Sequence, residues 1–397
     1  MRRMAVLCAA VLVSSVLFPQ QVSHDVSVIN IEVPVRVFQG DTFIDRLTIN
    51  DFELYEDGVL QSLDAVYLIR KTAVERKDEL KPFTPETSRF FYLFFEFYEY
   101  HPKIREAIDA FVQKVLRPGD HLVLSTPMKT YELKADVLSR IPKDKIADTI
   151  HGMVRRDVLI GNDTYRRAFN DLKRLVADKT TSMGTIDPSM EAVGEGSLQE
   201  YFMQYQVLLQ RLESLRHIDE PKLLQFAEYL KAKDGQKFVF VFYQREFIPV
   251  MDRKEQTKLF GTDVVTDGYL GDLFDFYRRN TSFNTDRIKK AFSDSGITVH
   301  FLMMTATEDD TPSTQRVEHS EDFIRPFTEM AKATGGISAS SANTAAMMTK
   351  ASEASENYYL LYYTPKDKTA GNRFREITVK VKGGGFRISH RAGYYLR

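Results

Sequence analysis

Two acidic side chains and a histidine follow the most apolar stretch of the sequence. The run "RFFYLFFEFYEYH" ends with Glu96, Glu99 and His101. Two nearby carboxylates are the minimum for acid–base hydrolysis. Successive residues of a strand point to opposite faces of a sheet, however, and these three positions match no hydrolase motif. We therefore treat a carboxylate-dependent hydrolase as the weaker alternative and expect a non-catalytic protein.

Other chemical motifs are missing or incomplete. Cys8 is the only cysteine and lies in the leader, so the mature chain has no thiolate or disulfide chemistry. The stretch from Asp263 to Phe276 resembles a calcium loop but has Phe274 where the bidentate acid belongs. The histidines lack zinc-site spacing, and the sequence has no P-loop, nucleophile elbow or dinucleotide-binding glycine motif. We expect no cofactor.

The N-terminus and the overall charge limit the location and the partners. Arg2 and Arg3 precede an apolar run of about 15 residues, which is short for a bilayer span, so residues 1–21 are predicted to be a secretory signal. An uncleaved anchor is the alternative. The formal net charge of -1 gives no reason to expect nucleic acid. We predict a periplasmic or secreted protein that is not inserted in a membrane once the signal is removed.

The elements around Glu96 alternate in type along the chain. Apolar strands are predicted at Phe90–Tyr100, His121–Thr126, Lys237–Phe247 and Ile297–Met304, with helices between them. Near-continuous apolar strands alternating with helices predict an α/β domain over residues 88–350, with a mostly parallel central sheet and helices on both faces. Residues 136–235 are predicted to be a helical insertion. Ligands bind at the carboxyl ends of such strands, which is where Glu96 and Glu99 fall.

Two β segments flank this domain. Residues 25–75 and 356–397 alternate apolar and polar residues between turn signals, which predicts short strands. Each segment is near the size at which a separate core becomes marginal. We therefore expect them to pack on each other, as a small β-sandwich, or on the central sheet.

Four stretches, in order, resemble one known family. They are "LTINDFELYEDGVLQSLDAV", "FYLFFEFYEYHPKIREAIDAFVQKVLRPGDHLVLST", "FTEMAKATGGISA" and "YYLLYYTPKDKTAGNRFREITVKVKGGGFRISHRAGYYL". They span most of the mature chain and resemble the secreted bacterial proteins of the VWFA-related Acidobacterial domain family. The resemblance implies a Rossmann-like von Willebrand factor A domain that binds proteins through the carboxyl rim of its sheet.

The resemblance also implies a metal-ion-dependent adhesion site, from which this chain departs. Such domains hold a divalent cation with an Asp-x-Ser-x-Ser motif after the first strand, a threonine and a later aspartate. Glu96 aligns with the first aspartate, but Tyr98 and Tyr100 replace the serines. Thr164 aligns loosely with the threonine, and a Tyr-Gln pair ending at Gln244 stands where Asp-Gly is common. The site is degenerate, and we expect it to hold no metal.

The sequence thus predicts an adhesion-type binding module. Its candidate binding rim consists of Glu96, Tyr98, Tyr100, Thr164 and Gln244. We expect the two tyrosines to be exposed and to contact a protein partner of unknown identity. For the two acids the open alternatives are simple solvation or pairing with an arginine, Arg105 or Arg245. A structural component of a cell-envelope assembly is the alternative function.

Overall fold

The protein is described here from a computed structural model, which covers residues 29–183, 195–216, 218–251, 284–304, 314–341 and 343–396. The predicted signal, residues 1–21, and the calcium-loop-like stretch, residues 263–276, lie outside these ranges. Within them, no helix combines the length and the apolar character that a bilayer span requires.

Eighteen strands and nine helices lie within the described ranges. The strands are β1 (Ile31–Gln39), β2 (Thr42–Phe43), β3 (Phe52–Glu56), β4 (Val59–Gln61), β5 (Leu63–Arg70), β6 (Ala73–Glu79), β7 (Arg89–Glu96), β8 (His121–Ser125), β9 (Thr130–Leu133), β10 (Gln236–Gln244), β11 (Phe247–Met251), β12 (Ile297–Met304), β13 (Thr314–Glu318), β14 (Ser338–Ser340), β15 (Asn357–Tyr363), β16 (Phe374–Val381), β17 (Arg387–His390) and β18 (Gly393–Tyr395). The helices are α1 (Lys103–Ala110), α2 (Ala135–Arg140), α3 (Lys143–Gly161), α4 (Asp163–Met183), α5 (Glu195–Leu215), α6 (Glu220–Lys231), α7 (Thr285–Asp294), α8 (Glu321–Ala333) and α9 (Thr344–Glu356).

The central sheet has six strands in the order β14-β12-β10-β7-β8-β9. All neighbours are parallel except β8 and β9, which are antiparallel. Numbered along the chain within this sheet, the order from the β9 edge is 3-2-1-4-5-6, the doubly wound arrangement. Strands β10 and β12 are buried along their whole length, as their continuous apolar sequences require. The predicted α/β class with a mostly parallel sheet is confirmed.

Helices cover both faces of the central sheet. Phe91, Leu93 and Phe95 of β7 point to the face covered by α1, α3 and α9. Tyr92 points to the opposite face, where α6, α7 and α8 pack. This alternation follows from the two-residue period of a strand. The carboxyl edge of the sheet is therefore the place where β7 can present polar side chains.

Strands from the two ends of the chain form a second unit. One sheet has the order β17-β1-β15-β5-β6, with β2 paired to β1, and the other has the order β18-β16-β3-β4. Together they enclose one apolar cluster that includes Val35, Leu54, Tyr359 and Val379. Because β15 lies between β1 and β5, the N-terminal and C-terminal segments are parts of one sheet.

The helices α4 and α5 belong to a separate apolar cluster. They pack on each other and on β11, which pairs with β13 in a two-stranded sheet. The hydroxyl of Tyr205 on α5 donates to the carbonyl oxygen of Pro249 on β11 at 3.3 Å. Tyr98, from the loop after β7, is part of the same cluster. Helices α4 and α5 therefore lie against the carboxyl edge of the central sheet, whereas α3 and α6 of the predicted helical insertion cover its faces.

Candidate functional site

The candidate site lies where β7 and β10 end side by side. Glu96 pairs in register with Tyr243. In a doubly wound sheet, the connections diverge to opposite faces between the first and fourth strands, which leaves a crevice at their carboxyl ends. Here those strands are β7 and β10. We name this region the carboxyl rim, consisting of residues 96–101, residues 243–246 and the start of α4 at residues 163–165.

Gln244 supports the carboxyl rim from within. Its side chain is 3% exposed, and its amide oxygen accepts hydrogen bonds from the backbone N–H groups of Tyr98 at 3.2 Å and Glu99 at 3.0 Å. These bonds hold the loop between β7 and α1. Gln244 is predicted to be a binding residue of the rim, but its side chain is buried and accepts from these two backbone amides, so it supports the loop from beneath.

Tyr98 is also buried. It is 5% exposed and packs against Tyr165 and Phe169 of α4, with ring centroids 5.1 Å and 6.1 Å away. Its hydroxyl donates to the backbone carbonyl of Arg245 at 3.2 Å. The expected exposure of Tyr98 is wrong, because α4 covers this part of the rim.

Tyr100 is half-buried beside α3. Its hydroxyl contacts Nε2 of His151, and the two rings meet edge to face at 5.5 Å. Desolvation raises the pKa of Tyr100 and lowers the pKa of His151. The phenol and the neutral imidazole thus form a hydrogen-bonded pair, which leaves Tyr100 only partly available for a partner.

Glu96 and Glu99 are the exposed acids of the carboxyl rim. Glu96 is accessible to water, yet protein surrounds it, so desolvation raises the pKa of its carboxyl while the charge of Arg216 opposes that rise. Arg105 pairs with Asp148 at 2.9 Å, and Arg245 pairs with Glu318. These arginines therefore have carboxylate partners other than Glu96 and Glu99.

Thr164 lies in the first turn of α4, where its side chain is exposed. The side-chain amide of Asn162, two residues earlier, donates to the backbone carbonyl of Phe97 at 2.5 Å. This bond joins the start of α4 to the loop after β7. The structure therefore brings Thr164 to the rim, with Glu96 at the end of β7 and Glu99 in the loop that follows it.

His101, the third residue of the hydrolase alternative, is hydrogen-bonded to the first residue of α1. Its Nδ1 accepts from the backbone N–H of Lys103 at 3.1 Å, at the start of α1. Desolvation lowers the pKa of its imidazole. This contact gives His101 a structural role at the helix terminus.

Sequence analysis missed an arginine at the rim. Arg216 follows directly after α5, and its guanidinium carbon lies 5.3 Å, 5.6 Å and 5.2 Å from the ring centroids of Tyr98, Tyr165 and Tyr243. The hydroxyl of Tyr165 donates to the carboxylate of Glu246, which is fully buried. No local motif marks these residues, because contacts between distant parts of the chain bring them together.

The charge of Arg216 is stabilised by this setting. Desolvation lowers the pKa of its guanidinium, but attraction to Tyr243, Glu246, Tyr165 and Glu96 outweighs that effect and raises the pKa. The guanidinium is therefore a permanent positive charge among aromatic rings and two acidic side chains.

The rim does not fit a divalent cation. Magnesium requires several compact oxygen donors in octahedral geometry. At the positions aligned with the two serines, the Tyr98 hydroxyl donates to a backbone carbonyl and the Tyr100 hydroxyl contacts His151. The side-chain oxygen of Gln244, next to the position of the later aspartate, accepts from two backbone amides. Across the described ranges, no group of three or more His, Cys, Asp or Glu side chains is arranged to hold a metal.

Comparisons with known proteins add little. No protein-family model matches the chain, and no curated protein matches it. Among solved structures, the chain is similar to the crystal structure of the human COPII-coat protein Sec24c, with a TM-score of 0.27 and 8% sequence identity. The match covers 79% of this chain and 44% of that chain. A similarity of this size carries no argument about function.

Proposed function

We propose that this protein is an exported, non-catalytic protein-binding module with a von Willebrand factor A-like domain, and that its carboxyl rim contacts a partner without a bridging metal ion. The doubly wound strand order, with an antiparallel edge strand at β9, supports this proposal. It puts the carboxyl ends of β7 and β10 at the switch point of the sheet, the position at which open α/β sheets bind their ligands.

The exposed part of the rim indicates the chemistry of the partner. Glu96, Glu99 and Thr164 are exposed there, whereas Tyr98 and Gln244 hold the loop from beneath. Two exposed acids and a hydroxyl at the rim suit a partner surface that carries lysine, arginine or amide donors. Charges of this kind act mainly on association rate and specificity. The proposed contact is therefore direct, polar and sensitive to salt.

The test is affinity capture from the producer's envelope and secreted fractions, with the mature chain as bait, in Mg²⁺ and in EDTA. We expect the same partner to be retained in both buffers. We also expect a Glu99→Ala/Thr164→Arg bait to lose it, because that bait removes one acid and adds a positive charge at the rim.

Glu376→Ala is the matched control bait. Glu376 is exposed on β16, in the β-sandwich, so this variant removes an acid away from the rim and should retain the partner. Loss of the partner in EDTA, or equal retention by the rim variant, would contradict the proposal. Copurification at fixed stoichiometry that neither change weakens would favour a structural component of an envelope assembly.

A further inference from the structure

We propose that Arg216 is the resident cation of the carboxyl rim. Its guanidinium lies among the elements from which a divalent ion would draw its ligands, and its side chain provides positive charge there in place of a bound metal ion. The inference concerns the charge of the rim and stands whether or not a partner binds there.

The first support is position. The three rings around the guanidinium come from three separate parts of the chain. Tyr98 is in the loop after β7, Tyr165 is in the first turn of α4 and Tyr243 is near the end of β10. The residues aligned with the metal ligands come from the same three regions: Glu96 at the end of β7, Thr164 in the first turn of α4 and Tyr243 on β10. Arg216 thus enters the rim from a fourth element, directly after α5.

The second support is the chemistry of the surroundings. The face of a tyrosine ring attracts cations, and three such faces lie within 6 Å of the guanidinium carbon. The buried carboxylate of Glu246 and the carboxylate of Glu96 supply negative charge. Few compact oxygen donors remain for a metal. Aromatic faces with carboxylates suit an organic monovalent cation rather than Mg²⁺.

The third support is the cost of desolvation. Magnesium loses its water reluctantly, whereas a guanidinium is planar and weakly hydrated. A partly enclosed site lined by rings is therefore more favourable for an arginine than for a metal ion. The arginine also connects the end of α5 to the sheet edge without any bound ion.

A direct test is chemical rescue of Arg216→Ala in the full mature chain. The substitution removes a fragment equivalent to N-ethylguanidinium and leaves the acids and the rings facing the vacated space. We expect the melting temperature to fall by about 5 °C. Millimolar N-ethylguanidinium should recover at least half of that loss, whereas neutral N-ethylurea should recover none.

Three results would overturn the inference. They are a fall in melting temperature that N-ethylguanidinium does not reverse, an equal recovery with N-ethylurea, and a recovery with Mg²⁺ alone. The wild-type chain gives an independent reading. We expect its melting temperature to be the same in millimolar Mg²⁺, in Mn²⁺ and in EDTA. A metal-dependent rise would show that the native protein binds a metal ion and would count against the inference.

A second pair of variants covers the case in which Arg216→Ala does not fold. Arg216→Lys keeps the charge, and Arg216→Met keeps most of the alkyl volume without it. If the site requires a cation, the lysine variant melts above the methionine variant. Equal melting temperatures, or a more stable methionine variant, would mean that Arg216 contributes packing alone.

Discussion

At the scale of single residues, His300 shows how burial fixes a protonation state. Its side chain is fully buried on β12, and it stacks on Phe240 with centroids 4.7 Å apart. Its Nδ1 accepts from the backbone N–H of Ile337 at 3.4 Å, and Nε2 lies 2.9 Å from the hydroxyl of Ser355. The acceptor role of Nδ1 assigns the proton to Nε2 of a neutral ring. Desolvation, assisted by the charge of Arg36, lowers the pKa of this imidazole to about 3.

This lowered pKa predicts a loss of stability in mild acid. The unfolded chain takes up a proton at His300 near pH 6.5, whereas the folded chain does so only near pH 3, so protonation favours unfolding in between. We expect the contribution of His300 to lower the free energy of unfolding by up to about 1.4 kcal/mol for each pH unit below about pH 6.5.

His300→Gln isolates that contribution, since glutamine keeps a donor but does not titrate. Chemical denaturation of both proteins at several pH values measures the stability difference between them. We expect the wild type to lose its advantage as the pH falls from about 6.5 towards about 4.5. A difference that stays constant over this range would show that His300 is not neutral in the folded protein.

At the scale of elements, Gln244 connects β10 to the loop after β7. Replacing it with methionine keeps the volume but leaves the buried amide of Tyr98 and the part-buried amide of Glu99 without their acceptor. We expect a loss of about 1–3 kcal/mol in unfolding free energy and faster hydrogen exchange at both amides. Gln113→Met is the matched control, because Gln113 bonds Asp144 at an exposed site and should cost less than about 0.5 kcal/mol. Equal losses of unfolding free energy in the two variants would show that Gln244 does not hold the loop after β7.

Sequence patterns predict the type of most elements better than their ends. The strand predicted at Phe90–Tyr100 stops at Glu96, because the chain turns at the rim, where Gln244 binds the loop. Strand β6 extends four residues beyond the predicted N-terminal β segment, which ends at residue 75. It is an edge strand, with Glu75, Lys77 and Glu79 at exposed positions. Charge on an edge strand blocks pairing with other chains and hides the strand from composition-based prediction.

The same distinction holds for the rim. The apolar run before Glu96 is enough to predict its place at the carboxyl end of a strand. The burial of Tyr98 and the presence of Arg216 depend on where α4 and α5 pack, and that packing connects residues more than 100 positions apart. Local patterns contain no information on such contacts. A single sequence therefore predicts the location of the rim but not the residue that supplies its charge.

At the scale of the whole molecule, strands from the N-terminal and C-terminal segments together form a β-sandwich, which contacts the α/β domain. The guanidinium of Arg36 on β1 is buried and donates to the carbonyl of Gly335 at 3.3 Å. The side-chain amide of Gln236, at the start of β10, donates to the carboxylate of Glu32 on β1 at 3.1 Å. Helix α9 leads directly into β15. The β-sandwich is thus packed on the amino-terminal edge of the central sheet, away from the carboxyl rim.

This arrangement predicts that residues 25–81 do not fold alone. Strand β15 lies between β1 and β5, so the fragment lacks the central strand of its sheet, and the opposing sheet lacks β16. The exposed edges and half of the apolar cluster then have nothing to cover them. We expect the fragment to be cleaved rapidly by protease and to show no cooperative melting. Joining residues 356–397 to it through a flexible linker restores β15 and β16 and should give a cooperative transition. A stable, protease-resistant fragment 25–81 would mean that the N-terminal strands have a core of their own and that the shared sheet is not required for folding.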